Sequence, residues 1–153
     1  EEPEEPQREP PQPSGPALVR LAPTATAFHV GDTFQVQVVV DTAQNVGSIP
    51  FHLRYNRAVL QFMPPAVEGS FMNADGTSTV FLASDTADGQ IVVGLSRMGA
   101  GTGASGAGIL ATFTFQAVGP GNAGFAFTGA SVKDPQARNV PAAFNTISVE
   151  VSP

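Results

Sequence analysis

Between Ser48 and Phe62 the chain reads S-I-P-F-H-L-R-Y-N-R-A-V-L-Q-F, and Ile49, Phe51, Leu53 and Tyr55 alternate with Ser48, Pro50, His52 and Arg54. A period of two buries one face of a strand and leaves the other open. This segment therefore requires a second apolar layer above it. After Tyr55 the pattern changes: Asn56 can cap a short turn through its side-chain oxygen, and Val59, Leu60 and Phe62 return as apolar anchors. A strand followed by a capped turn and a buried leucine is a corner, which is how a chain leaves one layer for another.

The same alternation recurs along the chain. Leu18 to Leu21 opens it. Thr33 to Asp41 places Phe34, Val36, Val38 and Val40 on one face, Ile109 to Val118 does so with Ile109, Ala111, Phe113, Phe115 and Ala117, and Thr146 to Val151 with Ile147, Val149 and Val151. Thr77 to Ser84 and Gln90 to Ser96 are expected to pair antiparallel across Asp85-Thr86-Ala87-Asp88-Gly89, where Asp-Gly supplies the positive φ of a hairpin turn. Pro64-Pro65 is expected to interrupt the chain after Phe62. Phe125 and Phe127 mark a further strand running towards Val132. Sixteen Gly and fourteen Pro punctuate these short runs, and no window supports a long amphipathic helix. The expected fold is all-β, a nine-stranded antiparallel β-sandwich with jelly-roll topology over residues 17–153. Residues 1–16, with six prolines and five glutamates, are expected to form an extended acidic linker or docking arm.

Charge narrows the partners. The formal net charge is −6, and residues 1–16 contribute −4 through five Glu and Arg8, leaving eight acids against six bases in the remainder. No basic groove for phosphates can be built from this set, so nucleic acid and anionic membrane surfaces are not expected partners. Without cysteine there are no disulfides, thiolate ligands or thiol nucleophiles. No stretch reaches the roughly eighteen apolar residues needed to span a bilayer, so no membrane insertion is expected. The chain opens at Glu1 with no charged-then-apolar leader, as a mature or excised piece would.

Catalysis requires convergent groups of tuned pKa, and the chain offers His29, His52 and carboxylates mostly at turns. Asp85 and Asp88 are explained by the hairpin, and neither they nor Asn73-Ala74-Asp75-Gly76 have the ligand spacing of a calcium loop. The glycine-rich run 99–108 lacks the lysine and βαβ setting of a phosphate loop. No enzyme, cofactor or metal is expected. Sugar platforms use exposed Trp and Tyr, whereas this chain has eleven Phe, no Trp and one core-facing Tyr, so polysaccharide is disfavoured as a ligand.

Three strings together resemble cohesin modules, the β-sandwich domains that bind dockerins. Phe51 to Leu60 fits F-x-L-x-Y-[D/N]-x-x-x-L, V-G-D-T-F-Q-V-Q-V at 30–38 is similar to the cohesin opening G-D-x-V-x-V-x-V, and G-I-L-A-T-F-T-F at 108–115 fits G-x-[FL]-A-x-[IF]-x-F. The resemblance implies a non-catalytic module that presents a sheet face to a dockerin-like or other envelope protein. On that face the outward residues would be Ser48, Pro50, His52 and Arg54, with Leu82, Ser84, Val92 and Ser96 on the hairpin and Arg97 and Met98 entering the glycine run. Cellulosomal cohesins carry an Asn and an Asp where this chain has Ser48 and Pro50, so two polar contacts are absent and a bulge or frayed pairing is expected at Pro50. Such modules also resemble those appended to secretins, which implies an extracellular, cell-surface or periplasmic setting. A structural alternative is a surface filament in which the N-terminal arm docks on a neighbouring copy, and a third is carbohydrate attachment.

Overall fold

The computed structural model describes residues 16–86, 88–98 and 101–153, so most of the expected acidic arm, Ala87 of the hairpin, and Gly99 and Ala100 lie outside the described residues. In chain order the strands begin with β1 (Ala17–Pro23), β2 (Ala27–His29), β3 (Thr33–Val46), β4 (Phe51–Arg54) and β5 (Leu60–Glu68). Next come β6 (Thr79–Asp85), β7 (Gln90–Arg97) and β8 (Ala104–Ala117). The chain closes with β9 (Gly121–Gly124), β10 (Ala126–Thr128), β11 (Val132–Lys133), β12 (Asn139–Val140), β13 (Ala142–Asn145) and β14 (Ser148–Ser152).

The fold is the expected all-β sandwich. A five-stranded sheet in the order β13-β1-β3-β8-β5 and a four-stranded sheet in the order β10-β4-β7-β6 form the two layers, with β2-β14-β9 and β11-β12 as smaller sheets. Alternation does what its period requires. Phe34, Val36, Val38 and Val40 from β3 meet Phe51 and Leu53 from β4 and Ile91, Val93 and Leu95 from β7 in one buried cluster. Phe115 stands at its centre, with ring centroids of Phe34, Tyr55, Phe62 and Phe125 at 6.1, 5.1, 5.8 and 5.3 Å.

The expected hairpin is present: β6 and β7 pair antiparallel from Thr79↔Arg97 to Asp85↔Ile91, and Gly89 takes φ +87°. Four details differ from expectation. The described residues hold fourteen strand segments and not nine: the expected strand from Phe125 to Val132 is divided into β10 and β11, and short strands such as β9, β12 and β13 lie where no strand was expected. The sandwich is not wholly antiparallel, since β1 pairs with β13 and β2 with β14 in parallel. Parallel neighbours need a long crossover, and here the body of the domain lies between the partners. Pro64 and Pro65 do not end the strand, because β5 is an edge strand that absorbs them with a register shift between Met63 and Val67. In β8 the pairs Val38↔Ala111 and Val39↔Ile109 leave Leu110 as an extra residue, a bulge that turns Leu110 into the core and leaves Ile109 half-buried.

Candidate functional site

The four-stranded sheet has an outer face that nothing in the described chain covers, and its backbone ladder decides which side chains stand on it. Ile49 N–H donates to Leu95 O at 2.9 Å and Tyr55 N–H to Gly89 O at 2.9 Å, so odd residues of β4 and β7 bond each other. The same parity sends Phe51, Leu53, Ile91, Val93 and Leu95 inward and leaves His52, Arg54, Val92, Gly94 and Ser96 outward. Three rows cross the face. His52 stands between Thr128 and Val92, with Ser84 beyond; Leu82 stands beside Gly94; Val80 stands beside Ser96, which in turn meets Ser48. Arg54 lies at one end, between Ala126 and Gln90, with Nη1 donating to Gln90 Oε1 at 3.2 Å.

Pro50 fits this ladder. Its missing N–H falls on the side away from β7, so the β4–β7 pairing continues through Ile49, and the Pro50 carbonyl accepts from Ser131 N–H at 3.1 Å. The regular strand nevertheless begins only at Phe51, with Ser48 held by single bridges to Ser96 and Lys133. This is an irregular start to the strand and not the bulge or frayed pairing expected at the proline, because Gly47, Ser48, Ile49 and Pro50 all make backbone hydrogen bonds to β7 or to residues 131–133.

A shallow groove of about 320 Å³ runs over Ser48, Pro50, Val80, Leu82, Gly94 and Ser96. Gly94 is its floor: a Cβ there would meet nothing within 4 Å. Leu82 is 67% exposed, and Val80, Val92 and Met98 are exposed too. Large apolar side chains left in water on one flat face are the mark of a contact surface. Its ionisable groups are His52 and Arg54, with no carboxylate on the outward positions of these strands. Thus an acidic chain presents a face that is apolar at one end and cationic at the other.

Gly94→Ala tests the floor. An alanine is sterically free there, and glycine within a strand is the poorer residue by roughly 0.5–1 kcal/mol, so the variant should melt slightly higher than the native chain in a thermal scan while its groove is shallower.

Arg97 is the one expected contact residue that the structure turns away. Its side chain is 7% exposed, and its guanidinium donates to the carbonyls of Met72 (2.8 Å) and Thr102 (3.0 Å), to Thr77 Oγ1 (3.1 Å) and to both Asp75 oxygens (3.2 and 3.0 Å). It clamps the 72–77 turn and the start of the glycine-rich segment to the end of β7. The Arg97 hydrogen bonds, helped by those from Thr77, hold the Asp75 carboxyl far below the usual carboxylate range. Parity could have found this, since Arg97 continues the inward series Ile91, Val93, Leu95. Val80 and Gly94 were absent from the expected face, although they share the parity of Leu82, Val92 and Ser96.

Tyr55 leans its ring edge-on against Phe115, and its hydroxyl donates to Asp85 at 3.3 Å. Burial and the Asp85 charge push that phenol above its ordinary value. His29 lies on β2 and His52 on β4, in different sheets. Among the described residues no group of three or more His, Asp or Glu is arranged to hold a metal ion, and no helix is long and apolar enough to cross a membrane.

A family model described as Cohesin domain matches residues 21–151. Among solved structures, the chain is similar to a non-cellulosomal cohesin from the hyperthermophilic archaeon Archaeoglobus fulgidus, with a TM-score of 0.72 and 21% identity over 91% of this chain and 93% of that one. A type II cohesin domain from the cellulosome of Acetivibrio cellulolyticus gives a TM-score of 0.73 at 13% identity, covering 88% of this chain and 95% of the other. The sixth cohesin of scaffoldin B from Acetivibrio cellulolyticus, solved in complex with a mutant dockerin, gives 0.71 at 18% identity over 90% and 99%. No curated protein matches the chain in sequence.

Proposed function

Because the chain belongs to the cohesin domain family, we propose that it is a non-catalytic protein-binding module whose four-stranded sheet captures a dockerin-type partner outside the cytoplasm. The observation that carries this reading is the uncovered outer face, with exposed Val80, Leu82 and Val92 around the open floor at Gly94 and with Arg54 at one end. The solved complex of a similar cohesin with a dockerin supports the class of partner.

The chemistry of the face describes that partner further. Ser48 and Pro50 offer little beyond one hydroxyl, so affinity comes from seating an apolar side chain over Gly94, not from a network of side-chain hydrogen bonds. Arg54 and His52 favour an acidic rim on the partner and disfavour a basic one. The sheet is preformed, so binding orders few residues of this chain. An N-terminal arm rich in proline and glutamate would act as a stalk that gives the module reach.

The test is capture by an immobilised panel of dockerins differing in their recognition residues. A dockerin that retains the native chain should release a Ser48→Trp/Arg54→Glu double variant, while the melting temperature falls by less than about 5 °C. Equal retention of both would place the contact elsewhere. Retention of Gln35→Arg, altered on the outside of β3 in the other sheet, serves as the control.

A further inference from the structure

Sheet edges invite pairing, and proteins blunt them with prolines, short strands or charge. Among the described strands the edges are β13 and β5 of the larger sheet, β10 and β6 of the smaller one, β2 and β9 beside β14, and the two-residue strands β11 and β12. β5 carries Pro64 and Pro65, β13 follows Pro141 and has four residues, and β2, β9 and β10 have three or four. β6 is the exception. T-V-F-L-A-S-D over Thr79–Asp85 has seven residues, no proline, and one charge at its far end.

The ladder shows which groups of β6 remain to pair. Met98 N–H donates to Ser78 O and Thr86 N–H to Gln90 O, both at 2.9 Å, so even-numbered residues of this strand direct their backbone groups to β7. Phe81 and Ala83 therefore turn theirs to the open side of the sheet. Beside that edge, Leu82 and Val80 are 67% and 40% exposed.

We propose that β6 pairs antiparallel with β6 of a second copy of this chain, about a two-fold axis through Leu82, joining two four-stranded sheets into one of eight. In that register Phe81 faces Ala83 of the other copy in two hydrogen-bonded pairs, and Leu82 faces Leu82 in the close, non-hydrogen-bonded position between them. Val80 lies opposite Ser84, and Asp85 opposite Thr79. The sequence is complementary to itself in this register: apolar meets apolar at the centre, and no like charges face each other. No other occupant is required, because the same strand supplies both halves and a two-fold operation closes the assembly at a dimer. The contact is small, so the dimer forms and dissociates with concentration. This pairing uses the edge of the sheet and takes Leu82 and Val80, which also line the outer-face groove, into its seam.

Sedimentation velocity of the full chain over a dilution series should show a monomer–dimer equilibrium and no larger species. Ala83→Pro removes an outward N–H without touching the β6–β7 ladder, and Leu82→Lys places two charges at the axis; both should sediment as monomer at every concentration with native circular dichroism. Because the native chain has no cysteine, Leu82→Cys gives a single thiol. Its Cα should stand about 4.5 Å from its mate, within disulfide reach, so mild oxidation should cross-link it to a dimer. Val92→Cys, exposed on β7 one strand further from the axis than Leu82, should stay monomeric under the same treatment. A native chain that is monomeric throughout, larger assemblies, or cross-linking of Val92→Cys as readily as Leu82→Cys would each overturn the proposal. Should Ala83→Pro fail to fold, the sedimentation of Leu82→Lys decides.

Discussion

Phe115→Ala should lower the stability of the domain by about 3–5 kcal/mol, the largest loss expected from any single truncation. The residue is fully buried and touches rings from four other segments: Phe34 on β3, Tyr55 at the corner, Phe62 on β5 and Phe125 between β9 and β10. Removing it leaves a void that those neighbours cannot fill, because each is also held by its own strand. Domains of this size are stable by about 5–15 kcal/mol, so a large share of the total is at stake. A denaturant melt should show the shift, and Phe28→Ala is the comparison. Phe28 stacks on Phe34 at 4.0 Å but is only half-buried, so its truncation should cost clearly less. Equal losses from the two would mean that Phe115 is not the centre of the core.

That centre was legible because one residue in two on β3, β4 and β8 is large and apolar, and a half-buried strand can carry such a pattern in only one way. Three features were not legible for reasons of the same physics. The bulge at Leu110 depends on β3 and β8 losing step, which a single strand's pattern does not record. The parallel pairs β1–β13 and β2–β14 depend on strand direction, to which alternation is blind. Gly94 has no side chain to announce a role, so the floor of the groove became visible only when Leu82, Pro50 and Val80 were placed around it. The face itself was legible, through the outward series from Ser48 to Arg54 and the hairpin positions opposite it.

Arg97→Ala should destabilise the fold by roughly 2–4 kcal/mol, since the Met72 and Thr102 carbonyls lose charge-assisted donors. The same substitution separates a clamp from a contact residue. A contact residue would leave the melting temperature unchanged and weaken capture, whereas the clamp predicts a lower melting temperature. It also changes the acid limb. Asp75 is held below its unfolded value while Arg97 is present, so the pair stabilises the fold at pH above the ordinary Asp range near about 4, and that stabilisation is lost as pH falls through the lower folded value. Asp134 is likewise lowered, chiefly by the Arg138 backbone N–H, and works in the same direction. In Arg97→Ala the Asp75 carboxyl should titrate closer to the normal range by NMR, still lowered by the Thr77 hydrogen bonds. Stability should then fall less steeply from about pH 5 to about pH 2 than in the native chain, because the folded and unfolded states differ less in the protons they bind. An unchanged Asp75 titration would show that the guanidinium is not what holds it.

Amide chemical-shift mapping of the native chain, during titration with a dockerin that retains it, tests most directly whether the outer side of β10-β4-β7-β6 is where this module meets its partner. The perturbed residues should cluster at His52, Leu82, Val92, Gly94 and Ser96, while Arg20, Gln35 and Gln37 on the opposite sheet stay still. Perturbations gathered on β1 and β3, with the Gly94 groove silent, would show that the partner is held by the other sheet.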